Sequence, residues 1–363
     1  MRPDINPNSE KKISFIQSQL TAFDTEAVLI LDLKNIRYLT GFTGSDGALF
    51  IGQQFALLMV DGRYVTQAGR ESQGLDIYEY RDKTTGILTV IKDKNIKNVG
   101  FEPVSMSADI YLKIIDGAND IFLTPLMDLL NSMRAIKSED EINLIKKAID
   151  ISAEALKSVE PILRPGISEM DIALELEYKM RRNGSEQVSF PTIAASGINS
   201  ALPHASPGRR KLKDGDALVI DYGATYRGYH SDETWTCFIG HADDKQKEVY
   251  DIVKKAHDRA LGELRSGINA KDVDAIARSY IADSGFDGFF PHGTGHGVGL
   301  DVHETPRIAV TSDTVLKAGM VVTIEPGIYI PDLWGIRIED MALIKEDSCE
   351  ILTKTPKNLR VFV

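Results

Sequence analysis

The chain has 363 residues, of which 43% are hydrophobic and 26% are charged, a composition typical of soluble globular proteins of two or three domains. The formal net charge of −11 argues against nucleic acid or an anionic membrane as the main partner, because both require a basic surface. The polar N-terminus, the lack of a long apolar run and two widely separated cysteines predict a cytoplasmic protein without a disulfide framework.

The region 1–130 alternates short apolar runs with helical patterns, which predicts a small α/β domain with a mixed sheet. The glycine-rich segment 41–47 lacks the lysine and the spacing of a phosphate-binding loop and is interpreted as a turn between strands. The predicted strands are 27–31, 48–51, 56–60, 76–80 and 98–101, and the predicted helices are 63–72, 84–93 and 105–115.

The region 131–363 contains a pattern that occurs twice. Ser138 followed by Glu141 is a capping box that predicts a helix to about residue 160, and Ser168 predicts the N-cap of a second helix. A helix over 245–264 then leads into a turn whose Gly267 follows Gly166 at a spacing of 101 residues. This recurrence predicts an internal duplication.

Four acidic residues occupy matching places in the two repeats. Asp221 ends an apolar strand, as does Glu325, and Asp232 lies four residues past a glycine, as does Glu339. Two halves that face each other would bring these carboxylates together on a pseudo-twofold axis. Because buried carboxylates are unfavourable unless they are paired or bound to a cation, the duplication predicts a pair of metal ions.

The glycine-rich stretch 290–304 holds His292, His296 and His303, three of the seven histidines. Four carboxylates with the His296 imidazole and no thiolate favour Mn²⁺, Co²⁺, Fe²⁺ or Zn²⁺ over copper or a cysteine-bound structural zinc. Two such ions would lower the pKa of water to about 7 and so supply a hydrolytic nucleophile.

These motifs resemble a known family. The His292-Gly-Thr-Gly-His296 segment, His303-Glu304, the acids at 221 and 232 and the Glu325-Pro-Gly segment are similar to the Xaa-Pro peptidases (aminopeptidase P and prolidase) of the pita-bread metallopeptidases. The segments 35–44 and 61–64 resemble the creatinase-like N-terminal domain of the same enzymes. The resemblance implies an α/β fold with a creatinase-like domain over 1–130 and a pseudo-twofold pita-bread catalytic domain over 131–363.

The resemblance also implies a set of metal ligands and two divalent ions, of which Mn²⁺ is the expected one. In this arrangement Asp221 binds one ion, His296 and Glu325 bind the other, and Asp232 and Glu339 bridge both. Glu325 is in addition the expected proton shuttle.

Further residues match positions that surround the metals in the family. The resemblance implies that Arg337 orients neighbouring carboxylates and that Tyr329 is an active-site tyrosine. Three histidines would hold the scissile carbonyl and stabilise the oxyanion, namely His204, His292 and His303.

The expected reaction is hydrolysis of the bond between an N-terminal residue and a following proline, and a homodimer is implied. An Xaa-Pro aminopeptidase is favoured, with a prolidase restricted to dipeptides as the alternative. A prolidase must recognise the proline carboxylate, and Arg209, Arg210 and Lys211 would either do so or form a solvated loop. An apolar pocket for the proline ring is assigned to Phe190, Tyr329, Phe289 and Phe290.

Three histidines are placed outside the site. His230 is assigned to the strand face opposite to that of the near neighbours of Asp232. His241 and His257 are interpreted as surface residues. A metal-free creatinase-like hydrolase and a non-catalytic binding module of the same fold are the other interpretations. Both are disfavoured because such relatives lack metal ligands, whereas all five are present in this chain.

Overall fold

The structure is a computed structural model that describes residues 9–118 and 120–363, so most of the polar segment Met1–Glu10 lies outside it. The chain forms two compact units, Met1–Leu130 and Asn131–Val363. Within the described ranges, no helix is both long and apolar enough to cross a membrane.

The first unit is built on a six-stranded mixed sheet in the order β4-β3-β2-β1-β5-β6, so the prediction of an α/β fold with a mixed sheet is confirmed. Adjacent strands are antiparallel from β1 to β3 and parallel elsewhere. The strands are β1 (Ala27–Ile30), β2 (Ala48–Gly52), β3 (Phe55–Asp61), β4 (Asp76–Tyr80), β5 (Asn98–Phe101) and β6 (Phe122–Pro125). The helices are α1 (Ser9–Gln19), α2 (Leu33–Thr40), α3 (Val65–Glu71), α4 (Lys83–Asp93) and α5 (Ala108–Gly117).

Two of these helices and one strand were not predicted, namely α1, α2 and β6. In α2 the local signals are present in the sequence: the Asp32 side chain accepts hydrogen bonds from the first turn, and Gly41 ends the helix with a φ of 79°. The segment 41–47 is therefore a loop between a helix and a strand and not a turn between two strands.

The second unit contains two main sheets, in the orders β20-β12-β9-β8 and β14-β13-β15-β18-β19. Its strands are β7 (Gln187–Val188), β8 (Ile193–Ser196), β9 (Ala217–Tyr222), β10 (Ala224–Tyr226), β11 (Tyr229–His230), β12 (Glu233–Ile239), β13 (Gly295–Gly297), β14 (Glu304–Ile308), β15 (Val321–Ile324), β16 (Gly327–Ile330), β17 (Trp334–Arg337), β18 (Asp340–Ile344), β19 (Cys349–Ile351) and β20 (Val361–Phe362). Its helices are α7 (Glu139–Val159), α8 (Glu169–Arg182), α9 (Asp244–Glu263) and α10 (Ala270–Ile281), and α6 (Leu129–Ala135) lies at the division between the units.

Helix starts in this unit follow the caps seen in the sequence. The Ser138 hydroxyl accepts a hydrogen bond from the Glu141 amide, and the Glu141 carboxylate accepts one from the Ser138 amide, which completes the predicted capping box. The same reciprocal pair forms between Ser168 and Asp171 at the start of α8.

The predicted duplication is visible in the topology. In the first half, α7 and α8 precede an antiparallel pair of β9 with β12, and in the second half α9 and α10 precede an antiparallel pair of β15 with β18. Each helix pair packs on its own sheet in a separate apolar cluster, one around Leu176 and Trp235 and the other around Val253 and Val322. Each cluster is built mainly from apolar residues of one half, and Ala217 and Phe238 of the first half join the cluster of the second.

Candidate active site

One cavity of about 980 Å³ lies within residues 131–363, where the strands of both halves end. Of the ten residues that the sequence assigned to the site, nine line this cavity: His204, Asp221, Asp232, His292, His296, His303, Glu325, Arg337 and Glu339. The tenth, Tyr329, is buried and contacts two of the nine.

Corresponding strands of the two halves deliver the four carboxylates. Asp221 is near the end of β9, and Glu325 directly follows β15. Asp232 and Glu339 immediately precede the partner strands β12 and β18. The antiparallel pairing of these strands therefore brings each half's two acids to the same end of its sheet.

His296 stands among these acids. One ligand atom each from Asp232, His296 and Glu339 lies within 4.8 Å of the other two. The His296 Nε2 atom is 3.6 Å from Asp232 Oδ2 and also 3.6 Å from Glu325 Oε1. These are distances at which one cation would fit between the side chains.

The tautomer of His296 follows from its other ring nitrogen. Nδ1 lies 3.0 Å from the carbonyl oxygen of Gly297, which can only accept, so Nδ1 carries the proton. Burial lowers the pKa of His296 to about 4, so the ring is neutral at pH 7. The Nε2 lone pair consequently points at the carboxylates and is available to a metal ion.

Burial and mutual repulsion make it unfavourable for these carboxyl groups to be ionised together without a cation. Burial raises the pKa of Glu325 to about 8. Burial and then repulsion from neighbouring acids raise the pKa of both Asp232 and Glu339 well above their ordinary values. Full ionisation of this cluster near neutral pH therefore requires positive charge in the cavity.

Arg337, which is 3% exposed, supplies part of that charge. Its guanidinium donates to Asp221 Oδ2 at 2.6 Å and to Thr234 Oγ1 at 3.0 Å, and Thr234 in turn donates to Glu339 Oε2 at 2.7 Å. Arg337 also donates to the carbonyl oxygen of Pro203 and to the hydroxyl of Tyr329. The other oxygen of Asp221, Oδ1, is buried and makes no hydrogen bond within the described chain.

His292 is held by the same network. Its Nδ1 lies 2.8 Å from the carbonyl oxygen of Gly293 and must donate, so its Nε2 accepts from the Tyr329 hydroxyl at 2.9 Å. Burial lowers the pKa of His292 to about 4. In this state both ring nitrogens are engaged and Nε2 carries no proton, so donation from Nε2 to a substrate would require both release by Tyr329 and a change of tautomer.

His204 and His303 differ from His292 in being exposed at the cavity surface. The His303 ring packs edge-on against the ring of His296, with their centroids 4.3 Å apart. Burial of part of the ring lowers the pKa of His303. These two imidazoles can reach a molecule inside the cavity.

The predicted apolar pocket is only partly correct. Phe190 lines the cavity, together with Pro191, Ile193 and Pro203. Phe289 and Phe290 instead pack in the core of the second half, because they follow α10 and face its sheet. Tyr329 is placed behind His292 by the bonds described above.

The three histidines that were predicted to lie outside the site differ in their exposure. His241 is exposed, as predicted, and pairs with Asp214. His230 is buried but does not line the cavity, and its Nδ1 lies near the Thr225 hydroxyl. The surface interpretation of His257 is wrong: this residue is 1% exposed, and its Nε2 atom lies 3.2 Å from Asp340 on β18.

Two cationic residues of the cavity wall were missed in the sequence. Arg134 contacts Asp301 and Glu304 and fixes the segment that carries His303. Arg307 is exposed on β14. The sequence did contain a signal for Arg307. In a strand that begins near His303, every second residue lies on the same face, so Arg307 would share a face with His303.

Comparison with known proteins identifies the domains. The model of metallopeptidase family M24 matches residues 143–346, and that of the creatinase/prolidase N-terminal domain matches residues 12–136.

Relatives and solved structures agree over nearly the whole chain. The Xaa-Pro dipeptidase of Pyrococcus horikoshii is 37% identical over 357 residues, covering 98% of this chain and 99% of the relative. The structure of the Xaa-Pro dipeptidase from Bacillus anthracis superposes with a TM-score of 0.95 at 36% identity, covering 98% of this chain and 100% of that one. The X-Pro aminopeptidase from Thermotoga maritima superposes with a TM-score of 0.88 at 38% identity, covering 94% and 99%.

Proposed function

This chain belongs to metallopeptidase family M24 and is an enzyme, and we propose that it is an Xaa-Pro dipeptidase that releases proline from dipeptides. Relatives named as dipeptidases support this assignment over the aminopeptidase that the sequence had favoured. Because the structure of an X-Pro aminopeptidase is also similar, Xaa-Pro aminopeptidase activity on longer peptides is the second candidate.

We propose that Asp221, Asp232, His296, Glu325 and Glu339 hold two divalent ions, with Mn²⁺ as the first ion to test. The neutral His296 with its free Nε2 lone pair, the unpaired Oδ1 atom of Asp221 and the crowding of buried acids all fit this role. Divalent ions would lower the pKa of water and polarise the scissile carbonyl.

The remaining site residues bind the peptide and move protons. Glu325, ionised by the positive charge of bound cations, would take the proton from the attacking water and return it to the proline nitrogen. His204 and His303 would donate hydrogen bonds to the carbonyl oxygen as charge develops on it. Arg337 and Tyr329 would act indirectly, because they hold Asp221 and His292 in place.

The observation that carries the dipeptidase assignment is the position of Arg307. Its backbone pairs with His296 across β13 and β14, so the two side chains share one face of the sheet. The other two arginines of the cavity wall are engaged: Arg134 pairs with acids, and Arg337 is buried in its own network. Arg307 is exposed in the cavity wall, where a guanidinium can bind the carboxylate of the substrate's proline.

The basic residues that the sequence offered for this role lie elsewhere. Arg210 forms an ion pair with Asp216 at 2.6 Å, and Arg209 and Lys211 are exposed. None of the three is among the described residues that line the cavity. The interpretation of this segment as a solvated loop is thus the better one.

Three substrates test the assignment: Ala-Pro, its C-terminal amide and Ala-Pro-Ala, each with the Mn²⁺-loaded enzyme. We expect the wild type to prefer Ala-Pro. Loss of a charge-assisted hydrogen bond of about 1.5–3 kcal/mol in Arg307→Met should reduce kcat/KM for Ala-Pro by about 10–100-fold. The amide should be affected little, because it lacks the carboxylate.

Arg209→Met is the matched control and should leave all three rates unchanged. Unaltered dipeptide cleavage by Arg307→Met would remove the argument for a carboxylate-binding role. Faster cleavage of Ala-Pro-Ala than of Ala-Pro by the wild type would favour the aminopeptidase, for which the cavity volume of about 980 Å³ leaves room.

A further inference from the structure

Two further buried acids lie directly behind the proposed metal ligands. Glu233 follows Asp232 at the start of β12, and Asp340 follows Glu339 at the start of β18. Successive residues of a strand point to opposite faces, so Glu233 and Asp340 lie on the side away from the cavity. They are 1% and 5% exposed, and so are buried charges that require partners.

Lys357 contacts both of these acids. Its Nζ atom is 2.5 Å from Glu233 Oε1 and 3.5 Å from Asp340 Oδ1, and its side chain is 5% exposed. One ammonium group thus joins the starts of two strands that belong to different halves of the duplicated domain. Its partner acids each adjoin a proposed bridging ligand.

Other groups complete the hydrogen bonding of each acid separately. Glu233 accepts from the Tyr222 hydroxyl at 2.9 Å and from the Thr355 amide at 3.2 Å. Asp340 accepts from the Thr353 hydroxyl at 2.5 Å. These bonds fix each carboxylate, but they do not connect β12 to β18 as the Lys357 ammonium does.

We propose that Lys357 is a positioning residue that sets the separation of Asp232 and Glu339 by joining the residues behind them. The proposal rests on the proposed function in that these two residues are taken as the ligands shared by both ions. Without the ammonium, Glu233 and Asp340 would lose the positive charge that lies between them, although Asp340 would keep His257 Nε2 at 3.2 Å, and repulsion between the two acids would push the strand starts apart. Outer residues that orient metal ligands typically change metal affinity by about 10–100-fold.

The test compares full-length variants after complete metal removal. Mn²⁺ binding is titrated by calorimetry in Lys357→Met, Lys357→Arg and the control Lys354→Met, which removes a lysine from the same segment whose side chain is 62% exposed. We expect affinity about 10–100-fold weaker in Lys357→Met, recovery of most of it in Lys357→Arg, and no change in the control.

A visible absorption spectrum of the Co²⁺-loaded protein separates positioning from general stability. We expect Lys357→Met to alter this spectrum while near-ultraviolet circular dichroism of the metal-free protein matches the wild type. Wild-type Mn²⁺ affinity and an unchanged Co²⁺ spectrum in Lys357→Met would overturn the proposal.

Should Lys357→Met fail to fold, Glu233→Gln carries the test, because it keeps the side-chain size and removes the negative charge that attracts the ammonium, while its amide oxygen can still accept from Thr355. We expect weaker Mn²⁺ binding in that variant, and wild-type affinity would overturn the proposal. These titrations use no peptide. A wild type that binds two ions and cleaves no Xaa-Pro substrate would therefore refute the proposed activity alone.

Discussion

Replacing Arg337 by methionine tests whether the site is held by its buried guanidinium. The substitution keeps an unbranched side chain of similar length but removes four hydrogen bonds, to Asp221, Thr234, Pro203 and Tyr329. It also leaves the Asp221 carboxylate buried beside other acids with no cation.

The size of the effect follows from these contacts. Breaking a buried ion pair by removing one partner costs about 3–5 kcal/mol. The three bonds to neutral acceptors add about 1 kcal/mol each if they act independently, and protonation of Asp221 offsets part of the total. We expect Arg337→Met to lower the free energy of unfolding of the metal-free protein by about 4 kcal/mol.

Denaturant unfolding followed by tryptophan fluorescence measures this change in the second unit, because both tryptophans, Trp235 and Trp334, lie in that unit. Mn²⁺ should reduce the deficit, since bound cations replace the missing charge. Arg265→Met, at an exposed arginine, is the control and should change stability by less than about 0.5 kcal/mol. A loss below about 1 kcal/mol in metal-free Arg337→Met would refute the view that this guanidinium neutralises the site.

Three further perturbations have definite expected outcomes. Burial raises the pKa of Glu102 to about 7, so its native state binds a proton more tightly than the unfolded chain. The stability of the wild type relative to Glu102→Gln should therefore fall by about 3 kcal/mol between pH 4 and pH 8, as measured by urea unfolding with circular dichroism, and a constant difference would contradict the raised pKa. Chelation of metal should lower the melting temperature, because ions at 100 times their Kd stabilise the fold by about 2.7 kcal/mol per site; a melting curve that ignores Mn²⁺ would argue against the metal centre. In Gly295→Ala the new Cβ would lie 1.9 Å from the Thr323 carbonyl oxygen, so β13 must shift and Mn²⁺ binding through His296 should weaken. The control Gly262→Ala has open space and should gain about 0.5–1 kcal/mol in the free energy of unfolding. Equal behaviour of the two variants would show that the close approach at Gly295 does not matter.

The parts of the site that were predictable are those that the duplication repeats. Asp232, His296 and Glu339 converge because the paired strands of the two halves carry them to one place. Their spacing in the sequence contains that information, and so do the capping residues such as Ser138, whose partners lie three positions away.

Contacts between distant segments could not be predicted in this way. Lys357 reaches Glu233 across 124 residues, and local composition gives no sign that this lysine is buried. The sequence around His257 is typical of a polar surface helix, but this residue is buried, with its Nε2 atom 3.2 Å from Asp340 on another strand. In both cases contacts between distant segments override the exposure that each residue type has on average.

The duplication is not symmetric at the position of His296. Ser196 pairs with Leu218, and in the second half Gly297 pairs with Val322 at the equivalent register, so the counterpart of His296 is Ala195.

Ala195 is 1% exposed and packs with Ile193 and Ala205, both of which line the cavity. One half therefore places an imidazole beside the clustered carboxylates, while the other half has apolar residues at the equivalent place. An apolar wall suits a proline ring, which has no N–H to satisfy in a peptide bond. If Arg307, whose backbone pairs with His296, binds the substrate carboxylate as proposed, a proline ring placed against this wall would direct its carboxylate toward β14. Such a placement would accommodate a chain that ends at the proline, as the proposed dipeptidase activity requires.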